Sequence, residues 1–269
     1  MDFNMIDKGG QITIFIIIGI LLVSAIALVF VLYNGQLSSQ ISNTQRQAPQ
    51  EYEDCINDYV AEASDLIFEN GGFLEMQELN YLIVNSAGYY DQQEVKEIPF
   101  LCYTPLDYAR CIPQRPLFIN HLEKEIKEFI MDEVDSCFET VNEDLEANSY
   151  DVSFGRTGEV EVEISDGVIK TRVSKVFTQK RSNQEQRFEE FTSRLSSSLY
   201  SMGRVAQEIV NQESLQCNSD YVDIMRANPT IKIKKFNADN DVSVYTIEDT
   251  IRKKEWKFAV RNCKQTTPS

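Results

Sequence analysis

Residues 159–177 read EVEVEISDGVIKTRVSKVF, and this stretch decides the fold class. Glu159, Glu161 and Glu163 alternate with Val160, Val162 and Ile164, the two-residue period of a strand with one wet face and one buried face. Asp166-Gly167 supplies a tight turn, and Val168 to Phe177 return as the partner strand. The three glutamates share a face that suits either a cation site or a solvated strand surface.

Outward from this hairpin the period changes. On its N-terminal side Leu122, Ile126, Phe129, Ile130, Val134, Cys137, Phe138 and Val141 recur at steps of three and four, the signature of an amphipathic helix. Asn120 is the expected N-cap, with Glu123 at the capping-box position. Earlier still, a helix from about Tyr52 to Glu69 carries Ile56, Tyr59, Val60, Ala63, Ile67 and Phe68 on its apolar side and stops at Gly71-Gly72. Between the two, residues 80–116 hold four prolines and read as a short strand or two followed by a loop closed by cysteines. After the hairpin, Phe188, Phe191, Leu195, Met202, Val205 and Ile209 suggest a third helix that packs on the sheet or offers a coiled-coil face. Thr230 to Phe236, Val242 to Ile247 and Glu255 to Arg261 suit an antiparallel meander. The expected fold is therefore α+β, with about three helices, the hairpin and a C-terminal meander.

The N-terminus has a different character. Ile12 to Tyr33 is an apolar run of 22 residues broken by Thr13, Gly19 and Ser24. As a helix it would rise roughly 33 Å, enough to cross a hydrocarbon core of about 30 Å. A cleaved secretory signal fits poorly, because the n-region holds Asp2 and Asp7 against Lys8, and the Ala25-Ile26-Ala27 triplet lies inside the run. The expected organisation is a cytoplasmic leader over 1–10, a transmembrane helix over 11–33, a polar stalk over 34–50 and an extracytoplasmic domain over 51–269.

Lys8-Gly9-Gly10-Gln11-Ile12-Thr13-Ile14-Phe15 resembles the archaeal type IV pilin-like, or class III, signal. That resemblance implies a prepilin-type peptidase cutting between Gly10 and Gln11, with the apolar helix left on the mature chain. The family usually has Glu at the fifth mature position, where this chain has Phe15, so the resemblance implies insertion more than filament assembly. Together with Cys55 near a helix start, Asn70-Gly71-Gly72-Phe73 at its end and a closing Trp256-to-Asn262 strand, it is similar to an uncharacterised group of single-pass archaeal surface proteins.

Six cysteines, Cys55, Cys102, Cys111, Cys137, Cys217 and Cys263, all follow the apolar run. An even set read as disulfides places the domain in an oxidising, extracytoplasmic compartment. Of fifteen pairings, geometry favours Cys102–Cys111 across a short proline-containing loop, Cys55–Cys137 between antiparallel helices, and Cys217–Cys263 between a helix exit and the last strand. No spacing matches zinc ligation, and His121 is the single histidine.

The net charge of −16, from 26 basic and 42 acidic residues, argues against nucleic acid as a partner. Lys232, Lys234, Lys235, Arg252, Lys253, Lys254 and Lys257 form the one basic concentration, a candidate interaction patch for anionic lipid headgroups, an acidic neighbour subunit or a polyanionic surface polymer, with the guarding of an edge strand as the alternative. No G-x-S-x-G elbow, Walker A motif or G-x-G-x-x-G follows a strand, so no catalytic residue, cofactor or metal is expected. The sequence reads as a membrane-anchored surface protein with a structural or interaction role, its partners being the bilayer, the peptidase, and other surface proteins or itself. An extracytoplasmic ligand-binding or sensory domain is the alternative, and a surface hydrolase the remote one.

Overall fold

The computed structural model describes residues 50–75, 81–86, 94–238 and 241–262. The apolar run, Gly10, Gln11 and Cys263 lie outside these residues. Among the described residues no helix is long and apolar enough to cross a membrane. The fold is mixed α+β, the described residues forming four helices and two sheets built largely of antiparallel strands.

Helix α1 occupies residues 50–69. Tyr52, Ile56, Val60, Ala63 and Ile67, spaced by three and four, are each at most 1% exposed, so one stripe of the helix is wholly internal. It ends in a left-handed cap: Gly71 has φ +65°, Gly72 has φ +108°, and the Gly72 amide donates to the Ile67 carbonyl at 2.8 Å. Glycine is also required by space, since a Cβ on Gly71 would lie 2.2 Å from the Lys257 carbonyl oxygen and one on Gly72 would lie 2.7 Å from the Phe118 ring.

Helix α2, Phe118–Ala147, is 30 residues long and buries Leu122, Ile126, Ile130, Val134, Cys137 and Phe138. It begins earlier than expected. Leu117 is the cap position and Asn120 lies within the first turn, so Asn120 does not cap the helix. Glu123 faces a strand instead, accepting a hydrogen bond from the Ile164 amide at 3.0 Å.

The three-stranded antiparallel sheet comprises β4 (Asp151–Ser165), β5 (Val168–Arg181) and β6 (Gln184–Ser196) in the order β4-β5-β6. The Asp166-Gly167 turn joins the first two, with Ser165 opposite Val168 and Gly167 at φ +74°. Strand β6 replaces the first half of the expected third helix, and helix α3 starts only at Leu199, running to Gln216. The cause is an irregularity in the β5–β6 register, where Ser174 pairs with Glu190 but Phe177 with Phe188. This shifts the alternation of β6, so Phe188 and Phe191, three residues apart, both pack against Phe177 at 6.0 and 6.3 Å. A bulge thus imitates a helical period.

The six-stranded sheet runs β1 (Tyr81–Ser86), β2 (Glu94–Tyr103), β9 (Glu255–Arg261), β8 (Val242–Asp249), β7 (Ile231–Ala238), with β3 (Ile112–Pro113) beside β2. The expected meander is β7-β8-β9, and β2 joins it by a parallel pairing with β9. Helix α4, Tyr221–Ala227, covers the outer side of β7, where the Ile233 amide meets the Met225 sulfur at 3.2 Å. A free sheet edge is thereby blunted.

Helix α1 connects the two sheets. At one end Tyr52 stacks on Phe138 at 4.3 Å and meets Phe177 and Phe191 edge-on; at the other Phe68 meets Trp256 at 6.1 Å. By strand alternation the opposite face of the larger sheet carries a second buried cluster of Ile98, Phe100, Val242, Val244 and Ala259. Cys55 is joined to Cys137 and Cys102 to Cys111, with Cα separations of 6.0 and 5.3 Å. Cys217 is also disulfide-bonded, and its expected partner, Cys263, is beyond the described residues. Closing the long loop between Cys55 and Cys137 is worth about 4 kcal/mol on a chain-entropy account.

Candidate functional site

The seven basic residues singled out from the sequence fall on strands β7 and β9 and on the β8–β9 turn. Five have carboxylate partners: Lys234 with Glu248 at 3.9 Å, Lys235 with Glu213 at 2.9 Å, Arg252 with Asp249 at 3.4 Å, Lys254 with Asp65 at 2.5 Å and Lys257 with Glu255 at 2.6 Å. Lys232 and Lys253 have no carboxylate partner among the described residues. Glu159, Glu161 and Glu163 are exposed, and Glu161 pairs with Arg172 at 2.6 Å, the pattern of a solvated face.

The densest polar arrangement lies where α3 ends. The buried stripe of α3, Met202, Val205, Ala206, Ile209 and Val210, continues in phase to Glu213, whose side chain is 3% exposed. A carboxylate there must be fully partnered, and it is. Its Oε1 accepts from the Lys235 ammonium at 2.9 Å and from the Tyr245 hydroxyl; its Oε2 accepts from Asn262 Nδ2 at 3.0 Å. Asn262 Nδ2 also donates to the Glu213 carbonyl at 2.5 Å, while its Oδ1 accepts from the Cys111 amide at 3.1 Å. Burial and the neighbouring Glu213 charge push the Tyr245 hydroxyl far above its ordinary range, so it stays a donor.

Lys235 reaches this carboxylate because β7 alternates: Ile231 and Ile233 point inward, and residue 235 follows in phase. Its side chain is 13% exposed, its Nζ sits 5.2 Å from the centroid of the Tyr245 ring, and it donates to Asn218 Oδ1 at 3.0 Å. Asn218 is brought back by Cys217, the left-handed C-cap of α3 at φ +57°. The knot thus holds a carboxylate and a carboxamide each within hydrogen-bond reach of the same amine.

Two further arrangements involve titratable groups. Lys175, on the buried face of β5 and 1% exposed, donates to Asp135 at 2.5 Å and to Thr157 at 2.9 Å, with its Nζ over the Phe138 and Phe154 rings at 4.7 and 5.0 Å. The Lys175 hydrogen bond, then that of Thr157, holds the Asp135 carboxyl below the usual range. His121 lies against the Gly72 carbonyl at 3.2 Å and between the Phe73 and Phe118 rings. An open groove of about 410 Å³ is lined by Lys124, Lys127, Glu161, Glu163, Lys170 and Arg172, among others.

Neither Glu213 nor Lys175 was singled out from sequence, although phase pointed to both. Glu213 follows Ile209 by four, and Lys175 lies between Val173 and Phe177 on the inward set of β5. No protein family, curated protein or solved structure matches the chain.

Proposed function

We propose that the chain is a membrane-anchored cell-surface protein whose role is structural or interactive rather than catalytic. In this reading residues 11–33 cross the membrane, residues 34–50 form a stalk and the α+β domain from residue 51 stands outside the cell. A single feature carries it: Cys55–Cys137 and Cys102–Cys111 lie within disulfide distance in a domain that follows a 22-residue apolar run. Structural disulfides persist in oxidising compartments and are rare in reduced cytoplasm. The pilin-like start supports cleavage by a prepilin-type peptidase before Gln11, and Phe15 in place of Glu supports an anchor over a filament subunit.

The charged groove between α2 and the β4–β5 hairpin favours the second reading, an extracytoplasmic ligand-binding domain, since it offers both signs of charge around one opening. The test of the primary reading is protease treatment of intact cells followed by intact-mass measurement. Digestion of the domain without lysis is expected, with the mature mass starting at Gln11 or at the initiator. Protection in whole cells and cleavage only after lysis would overturn it.

A further inference from the structure

We infer that Lys235 and Asn218 are the two ends of an intramolecular isopeptide bond for which Glu213 carries the protons. The inference stands apart from the membrane assignment, since it rests on the knot alone. The reacting groups are already gathered: Lys235 Nζ is 3.0 Å from Asn218 Oδ1 and 2.9 Å from Glu213 Oε1. Holding the amine beside the carboxamide replaces a bimolecular encounter by an intramolecular one. Glu213 is itself fixed by Tyr245 and Asn262, so its carboxylate does not swing away.

The chemistry balances without any oxidant or cofactor. Glu213 Oε1, 2.9 Å from the Lys235 nitrogen, takes a proton from the ammonium. The freed amine attacks Asn218 Cγ, forming a C–N bond and opening the carbonyl to a tetrahedral centre. A second proton passes from the attacking nitrogen through Glu213 to Asn218 Nδ2, the Cγ–Nδ2 bond breaks and the carbonyl re-forms. Ammonia leaves and takes the remaining proton, so ammonium departs and Glu213 returns to its carboxylate. Asn218 is exposed, which gives the leaving group a path to solvent.

The product ties the α3–α4 turn to strand β7, one residue from the disulfide-bonded Cys217. Unlike a disulfide, this amide survives reduction, which suits a domain under mechanical or proteolytic load.

The test is the mass of the full chain, denatured and reduced, followed by peptide mapping. The expected result is a mass lower by one ammonia and a branched peptide joining the segments around Lys235 and Asn218. Lys235→Arg and the exposed-site variant Asn218→Ala should restore the full mass. Asn218→Asp should give the same final mass as the linked wild type, through loss of water instead of ammonia. A full-mass wild-type chain overturns the inference. So does an ammonia loss that maps to an N-terminal glutamine or to a succinimide rather than to Lys235.

Discussion

Acidification should weaken this domain through its one histidine. His121 is 11% exposed at its side chain, accepts the company of two aromatic rings and lies 3.2 Å from the Gly72 carbonyl, to which neutral imidazole donates through Nε2. Burial first, then the Arg115 charge, lowers its pKa to about 4, against the ordinary 6.5, while the Gly72 hydrogen bond partly opposes them. Glu125 stands 3.8 Å from Nδ1, so an ion pair forms only once the ring is protonated, which the lowered pKa disfavours near neutrality.

The sign follows from linkage. Between pH 4 and 6.5 the unfolded chain binds the His121 proton and the folded one does not, so the stability that this group contributes rises with pH across that window and is constant outside it. At about 1.4 kcal/mol per unit, the full difference is roughly 3 kcal/mol, of which about 2 is lost by pH 5. Against a typical stability of about 5–15 kcal/mol this is measurable by urea unfolding at a series of pH values. The control is His121→Gln, which keeps an amide donor near Gly72 but does not titrate; its stability should fall less than wild type between pH 7 and 5. Nuclear magnetic resonance of the single imidazole gives the folded pKa directly. A midpoint at or above 6.5, or an identical pH slope in the glutamine variant, would refute the reasoning.

Gly71→Ala should destabilise the domain by about 3 kcal/mol or more, because the left-handed backbone costs alanine about 1 kcal/mol and its Cβ would sit 2.2 Å from the Lys257 carbonyl. Gly155→Ala, whose Cβ would meet only ordinary contacts at 3.8 Å, should be near neutral; equal losses in thermal unfolding would contradict the cap geometry. Asp135→Ala should cost about 2–4 kcal/mol by stranding the Lys175 ammonium, whereas Lys175→Met should cost under about 1 kcal/mol, because Asp135 is 63% exposed and rehydrates. Denaturant midpoints that rank these two variants the other way would show that the lysine, not its carboxylate partner, is the costly loss.

The amino-acid sequence alone determined the elements whose period is local. The alternation of Val160, Val162 and Ile164 with glutamates, the Asp166-Gly167 turn and the α2 stripe all depend on neighbours within one or two turns, and they fold as read. The meander was legible for the same reason. The run from Ile12 to Tyr33 is equally plain as an apolar segment, because its hydropathy needs no tertiary partner to be recognised.

Only the tertiary structure decided the rest. The three-residue spacing of Phe188 and Phe191 suits a helix, and nothing local reveals that a register shift against Phe177 makes it a strand. The parallel pairing of Phe100 with Ala259 joins residues far apart in the chain, a choice made by sheet order and not by either strand's composition. Most of all, five of the seven basic residues clustered in sequence meet carboxylates, and Lys235 ends against Glu213 and Asn218. Phase alone turned Glu213 and Lys235 inward, but which charges meet there depends on how α3 and β7 pack, because the cost of an unpartnered buried charge is settled only by the neighbours that folding supplies.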